Sequence, residues 1–255
     1  MNQAQERDIT WLLDEKYGGE RTPEFYADCK RLALGEPLAY LIGWAPFLGC
    51  TIHLDSHPLI PRPETELWVT EAIAAIEHGT ASLGFAESPP RVLDLCAGSG
   101  CIGVAVAHAL PDTLVDFAEI DQSHLATIRK NCTKNGIAAE RTEITHSNLL
   151  ASVRQTYDFI LSNPPYIDAS LHRVEPSVTL HEPHLALFGG AGGLDIISSI
   201  IAQAPAHLRP GGQLWLEHEP EQSPTIVTLG TEHGFDVQTQ RDQYATERYS
   251  ILVLQ

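Results

Sequence analysis

The 255-residue chain contains no run of 18 uncharged apolar residues, so no membrane-spanning helix is expected. Its opening, "MNQAQERDITWLLDEKYGG", lacks the basic n-region and apolar core of a secretory signal. Basic residues are scarce: 16 Lys and Arg face 33 Asp and Glu, and no run of them occurs. The net charge of −17 argues against affinity built on phosphate backbones. No stable nucleic-acid binding is therefore expected, and a protein partner or a small molecule is. The five cysteines, at 29, 50, 96, 101 and 132, are odd in number and lie mostly in apolar runs, which predicts reduced thiols in a cytoplasmic protein. Neither "HEPH" (His181–His184) nor "EHEPE" (Glu217–Glu221) has the spacing of a tetrahedral ligand set, so no metal is expected. Repeats and low-complexity tracts are absent. The composition, 43% hydrophobic and 19% charged, suits one substantial domain with a small appendage.

Residues 1–36 read as two short helical segments, "RDITWLLDEKYG" and "TPEFYADCKRLALG". Gly18 and Gly35 suit helix C-termini, and Thr22 before Pro23 suits an N-cap. Residues 37–63, punctuated by Gly and Pro, suggest a β-hairpin linker. A helix is predicted over Glu64–Gly79 and a loop over 80–90. From Arg91 onward strands and helices alternate through "RVLDLCA", "LVDFAEI", "AERTEITHS", "YDFILS", "GQLWLEHE", "FDVQTQRD" and "ERYSILVLQ". Ser123 is a possible cap for the helix after the second strand, and "LDIISSIIAQAPAHL" reads as another helix. That alternation predicts a doubly wound, Rossmann-like α/β sheet, closed by an antiparallel pair at or near one edge.

"DLCAGSG" (Asp94–Gly100) lies where a strand hands over to a helix. Glycines there remove Cβ atoms, so backbone N–H groups can approach a ligand above the strand's end. About 20 residues on, "EID" offers Asp121 to ribose hydroxyls, ahead of the rival carboxylates Asp116 and Glu119. Asp94 followed by G-x-G resembles the first motif of S-adenosylmethionine-dependent methyltransferases, against the plainer reading of a glycine turn without a ligand. Asn148 stands where this class often has an acidic residue that meets the adenine amine, with Leu149 to pack on the ring. A simple turn asparagine is the alternative.

"LSNPPYI" (Leu161–Ile167) ends the fourth strand. Pro164 keeps Asn163 extended, and Pro165 fixes the next φ and supplies no N–H. The Asn163 side-chain oxygen and the Pro164 carbonyl could then accept the two N–H groups of a planar NH2, with Tyr166 stacking on it. A structural turn is the other reading.

Taken in order, "GEPLAYLIG", "LIPRPETE", "DLCAGSGCIGVAVA", "SNPPYI", "LALFGG" and "LRPGGQLWLEHE" resemble the HemK/PrmC family of peptide chain release factor glutamine methyltransferases, from about residue 22 to the C-terminus. The resemblance implies a seven-stranded class I methyltransferase domain over 64–255, with S-adenosylmethionine as cofactor and a class-1 release factor as partner. It implies a catalytic corner of Asn163, Pro164, Pro165 and Tyr166. The cofactor set is Asp94, Cys96, Ala97, Gly98, Ser99 and Gly100, with Asp121, Asn148, Leu149 and Asn163. Relatives often carry glycine where this chain has Cys96, and aspartate where it has Asn148; its N-terminal region is also shorter than theirs. Two other methylations stay open, of a ribosomal-protein glutamine or of DNA adenine N6, as does a non-catalytic nucleoside-binding module. Arg62 is either a substrate-side charge or a hairpin anchor. "GGQ" at Gly211–Gln213 reads as a turn entering the fifth strand.

Overall fold

The apolar runs after Arg91 assemble into one seven-stranded sheet in a computed structural model that describes residues 3–82 and 89–255. Ahead of it come α1 (Gln3–Tyr17), α2 (Pro23–Ala33), α3 (Leu38–Ile42), the antiparallel pair β1 (Trp44–Phe47) and β2 (Cys50–His53), and α4 (Pro63–Ser82). The sheet opens with β3 (Arg91–Leu95), α5 (Cys101–Ala109), β4 (Leu114–Glu119), α6 (His124–Lys134) and β5 (Ile144–His146). It continues through β6 (Tyr157–Ser162), the short helices α7 (Pro176–His181) and α8 (His184–Leu187), and α9 (Asp195–Gln203). The chain closes with β7 (Leu208–Glu217), α10 (Ser223–Glu232), β8 (Phe235–Arg241) and β9 (Glu247–Leu254).

Strand order is β5-β4-β3-β6-β7-β9-β8. The first five strands are parallel, and β9 runs antiparallel to both β7 and β8. The chain winds outward one way from β3 and returns to the other side with β6. Loops on those two strands therefore part at their C-terminal ends and leave a crevice, the usual ligand position in such sheets. Two cores flank the sheet: one is built around Trp68, Phe117 and Phe159, the other around Ile160, Leu214 and Ile200. Among the described residues no helix is long and apolar enough to cross a membrane.

Several expectations need correcting. "LAYLI" at the start of the expected hairpin is the helix α3, because it can bury Leu41 with Leu12 and Phe25 in a small core shared with α1 and α2. Helix α4 continues through Gly79 to Ser82; one glycine costs a helix only about 1 kcal/mol and does not stop it. Residues 83–88 of the expected loop lie outside the described residues. β5 is only three residues long, since Ala139–Arg141 ahead of it form a 3-10 turn. The helix expected over residues 194–208 ends at Gln203, where Pro205 forces a 3-10 turn and β7 begins four residues before Gly212. Ser123 makes no side-chain cap; its own N–H donates to Asp121 Oδ1 at 2.9 Å instead.

The pairing of α1 with α2 rests on a buried acid. Asp28, 5% exposed, accepts from Lys16 Nζ at 2.6 Å, the Tyr17 hydroxyl at 2.7 Å and Arg31 Nη1 at 2.8 Å. Burial pushes the Asp28 carboxyl up, but these three donors outweigh it and hold it below the usual range. A depressed carboxyl contributes stability fully above its unfolded pKa of about 3.9, and that stability is lost as pH falls through the folded value. Amide exchange across α1 and α2 is thus expected to accelerate below about pH 4, before the sheet opens. Asp28→Asn should show faster α1–α2 exchange already at neutral pH.

Candidate active site

The crevice is an open cleft of about 1100 Å³, mouth included, at the C-terminal ends of β3, β4 and β6. Its floor is the loop after β3. Cys96, Gly98 and Gly100 all have positive φ, at 60°, 54° and 78°, so the backbone folds tightly above the strand. Cys96 holds that conformation despite its Cβ, which places a half-buried thiol on the cleft wall. Ala97, Gly98 and Ser99 line the cleft as well, whereas Gly100 lies behind them against Ile128 and Phe117.

Asp94 does not reach the wall. It is fully buried under the loop, with Oδ2 accepting the Gly103 amide at 2.8 Å and Oδ1 left without a partner. Burial pushes its carboxyl well up, against the Gly103 hydrogen bond and with help from nearby Glu119. Its place in the fold makes it a support for the glycine loop from below. Gly103 is fixed equally firmly, because a Cβ there would overlap the Phe117 ring.

Strand β4 ends at Glu119, so Asp121 sits two residues past the strand's end, not at it. Both carboxylates line the cleft, with different duties. Glu119 accepts the Gly98 N–H and the Asp121 N–H, each at 2.7 Å, and so ties the glycine loop to β4. Asp121 Oδ1 accepts the Ser123 N–H at 2.9 Å, while Oδ2 stands 3.9 Å from His124 Nε2 on a side chain 40% exposed. Hydrogen bonds from Ser123 hold the Asp121 carboxyl below its ordinary value. Asp121 is the carboxylate with an oxygen to offer a ligand. Past β5, Asn148 and Leu149 line the same cleft; Leu149 is held at φ 50° by the Ser147 hydroxyl, which donates to its carbonyl at 2.6 Å.

From β6, Asn163 and Pro165 reach the wall, while Pro164 is buried behind them. Asn163 Nδ2 donates to Thr65 Oγ1 at 3.3 Å. Among the described residues nothing hydrogen-bonds to Asn163 Oδ1 or to the Pro164 carbonyl. The Tyr166 side chain is directed elsewhere: its hydroxyl donates to Glu217 Oε1 at 2.9 Å, and burial followed by that carboxylate pushes its pKa well up. That bond anchors the hydroxyl end of Tyr166 on β7. Its carbonyl accepts Gln222 Nε2 at 2.7 Å, and the segment Leu187–Gly193 docks on the same corner: Ile167 N donates to Leu187 O, and Gly189 N to Ile167 O.

Arg62 answers the question left open for it. Its Nη2 donates to Glu182 Oε1 at 2.5 Å, and the Ile60 N–H donates to Glu182 Oε2 at 3.0 Å. Arg62 thus anchors the strip before α4 onto the "HEPH" turn while still lining the cleft. Glu182→Ala is expected to lower unfolding stability by about 1.5–3 kcal/mol, the worth of hydrogen bonds to a charged group, as a shifted urea midpoint at unchanged m. Most of the other acids and histidines of "HEPH" and "EHEPE" have structural partners: His184 bonds the Thr179 carbonyl, His218 bonds Ser250, and Glu219 closes a capping box with Gln222, whereas His181 Nε2 is buried without a partner among the described residues. Sequence reasoning missed Thr65, Glu182, Glu217 and Gln222 as parts of this site, and weighed Glu119 only as a rival to Asp121. The quoted motifs contain several of them, but nothing in their spacing says that residues 65 and 217 meet.

The Methyltransferase small domain model matches residues 80–179. The release factor glutamine methyltransferase of Gloeobacter violaceus is 38% identical over 224 residues, covering 86% of this chain and 75% of that protein. The protein of the same name from Geobacter sulfurreducens is 34% identical, over 93% of this chain and 86% of its own. Among solved structures, the hMettl16 catalytic domain superposes with a TM-score of 0.63 at 17% identity, over 81% of this chain and 76% of that one. A methyltransferase from Pyrococcus furiosus gives 0.58 at 18%, over 89% and 97%. At such identities the structures speak for the fold, a class I methyltransferase sheet, while the sequence relatives span nearly the whole chain. On that ground the chain belongs to the release factor glutamine methyltransferase family.

Proposed function

We propose that this protein methylates the side-chain amide nitrogen of the glutamine in the Gly-Gly-Gln motif of class-1 peptide chain release factors, using S-adenosylmethionine. The observation that carries the reading is the Asn163–Pro164 corner. Asn163 lines a cleft that also holds the glycine loop, and neither its side-chain oxygen nor the adjoining Pro164 carbonyl is engaged among the described residues. Family membership supplies the acceptor.

The cleft fits that cofactor on its donor set. Asp121 Oδ2 suits ribose hydroxyls, Leu149 and Ile120 offer an apolar wall for a base, and the tight backbone of 96–100 suits the amino-acid end. When bound, S-adenosylmethionine supplies a methyl already activated on a sulfonium. The chain has the remaining task of holding the acceptor nitrogen. Asn163 Oδ1 and the Pro164 carbonyl each accept one N–H of the glutamine NH2, which fixes the plane of the amide. Those bonds strengthen as the nitrogen gains positive charge, so they stabilise the transition state more than the ground state. Of the chain, residues 1–36 are read as an N-terminal helical region, 37–63 as the linker to it and 64–255 as the catalytic unit.

The test gives labelled cofactor to the enzyme with a release factor, its Gly-Gly-Ala variant, a large-subunit ribosomal protein and DNA. Label is expected on the unaltered release factor alone. Equal label on the Gly-Gly-Ala variant, or label only on DNA or on the ribosomal protein, overturns the reading.

A further inference from the structure

An amide side chain has two ends of equal shape, and only one of them suits the role given to Asn163. If its NH2 faced the cleft it would meet the substrate's NH2 donor to donor, and the acceptor nitrogen would not be held. Something in the chain must therefore fix which end faces out. The answer lies behind Asn163, in a buried cluster that no step of the mechanism uses.

Glu217, at the end of β7, is 2% exposed, and Thr65 in the first turn of α4 equally so. Glu217 Oε2 accepts from Trp68 Nε1 at 2.7 Å and from Thr65 Oγ1 at 2.8 Å, and Oε1 accepts from the Tyr166 hydroxyl at 2.9 Å. An indole nitrogen can only donate, so Oε2 serves Trp68 as an acceptor, and it accepts from Thr65 Oγ1 as well. The Thr65 hydroxyl has a single proton, and it is spent on that same oxygen. Toward Asn163, 3.3 Å away, Thr65 Oγ1 can then only accept. A flipped amide would set oxygen against oxygen in a buried corner. The proton order Trp68 and Thr65 to Glu217, then Asn163 to Thr65, leaves Oδ1 as the end on the cleft.

We infer that Glu217 and Thr65 are positioning residues for methyl transfer: Glu217 takes the Thr65 hydroxyl proton, and Thr65 thereby holds the Asn163 amide with its oxygen toward the substrate nitrogen. The inference rests on the methyl-transfer reading above. Glu217 does not line the cleft, and Thr65, which does, acts through Asn163; their effect should appear in kcat, with the cofactor Kd and the release-factor KM close to wild type.

Thr65→Val, which keeps the shape and removes the hydroxyl, is expected to lower kcat about 10- to 100-fold, the scale of a misplaced reacting group. Thr65→Ser should recover most of that loss. Glu217→Leu frees the Thr65 proton to turn toward Asn163 and should cost a similar factor. Glu217→Gln should recover much of it, because the Trp68 indole requires the oxygen of the new amide at the Oε2 place. The double variant Glu217→Leu/Thr65→Val should be no slower than the slower single, since both cut one chain. Losses that multiply, or a Thr65→Val enzyme as fast as wild type, overturn the inference.

Because Glu217→Leu could unfold the core, a second measurement needs neither activity nor that variant. In 15N–1H spectra of the substrate-free protein, assigned with Asn163→Ala, the Asn163 NH2 protons should be protected from solvent exchange in wild type and Thr65→Ser. They should exchange freely in Thr65→Val. Equal exchange in all three overturns the relay. Should wild type label no release factor, the substrate reading falls, and this spectrum still decides the relay.

Discussion

Asn163→Ala is expected to lower kcat by about 10³-fold while leaving the cofactor Kd within a few-fold of wild type. The two parts of that expectation have separate causes. Removing one preorganised partner of a developing charge costs on the order of 10²–10³ in rate by itself. Here the same side chain also sets the plane of the acceptor amide, so its loss further erodes the near-attack geometry. The proposed cofactor contacts, by contrast, are the 96–100 loop, Asp121 and the Asn148–Leu149 turn, which follow β3, β4 and β5 rather than β6. Single-turnover label transfer and calorimetric titration of the cofactor separate the two. A loss of kcat under about tenfold would place the decisive acceptor elsewhere.

Gly193→Ala is expected to damage both stability and catalysis. Gly193 has φ 69°, and a Cβ there would overlap the Tyr166 carbonyl oxygen and Gln222 Nε2. Those two atoms are themselves bonded, at 2.7 Å, and Gln222 reaches on to the Gly192 carbonyl at 2.9 Å. The methyl has no soft neighbour to displace, so it must push the catalytic corner off the segment that clamps it. Overpacking costs about 1–3 kcal/mol and a left-handed alanine about 1–2 more. For a chain of this size that lowers Tm by roughly 5–15 °C. Gly211→Ala separates the two contributions: φ is 76° there and nothing lies within 4 Å, so only the backbone strain applies. Gly193→Ala should therefore lose several degrees more than Gly211→Ala, with a fall in kcat that Gly211→Ala does not share.

Much of the site was readable because it is local. A strand running into D-x-x-x-G-x-G forces a bare backbone above the sheet, and Asn-Pro-Pro-Tyr after a buried strand forces a rigid corner, whatever the rest of the chain does. Where local reasoning failed, tertiary packing had the deciding vote. "LAYLI" reads as strand by its neighbours but becomes helix because α1 and α2 offer Leu41 a core. Nothing near Tyr166 in the sequence announces the carboxylate 51 residues further along that accepts from its hydroxyl. How deep Asp94 sits was also not readable: its strand is covered on both faces and the side chain lies below the loop.

By itself, then, the sequence determined the doubly wound sheet, the glycine turn after its first strand and the rigid backbone of the corner. Each of these follows from residue periodicity or from backbone restrictions that act over a few residues. Only the tertiary structure decided that Glu119 ties down the glycine loop, that Arg62 holds Glu182, and that the Asn163 amide nitrogen meets Thr65. Those choices depend on donors and acceptors brought together from positions as distant as Thr65 and Glu217, or Ile60 and Glu182. Hydrogen-bond directionality is a property of the assembled cluster, and no single stretch of chain contains enough of it to be read.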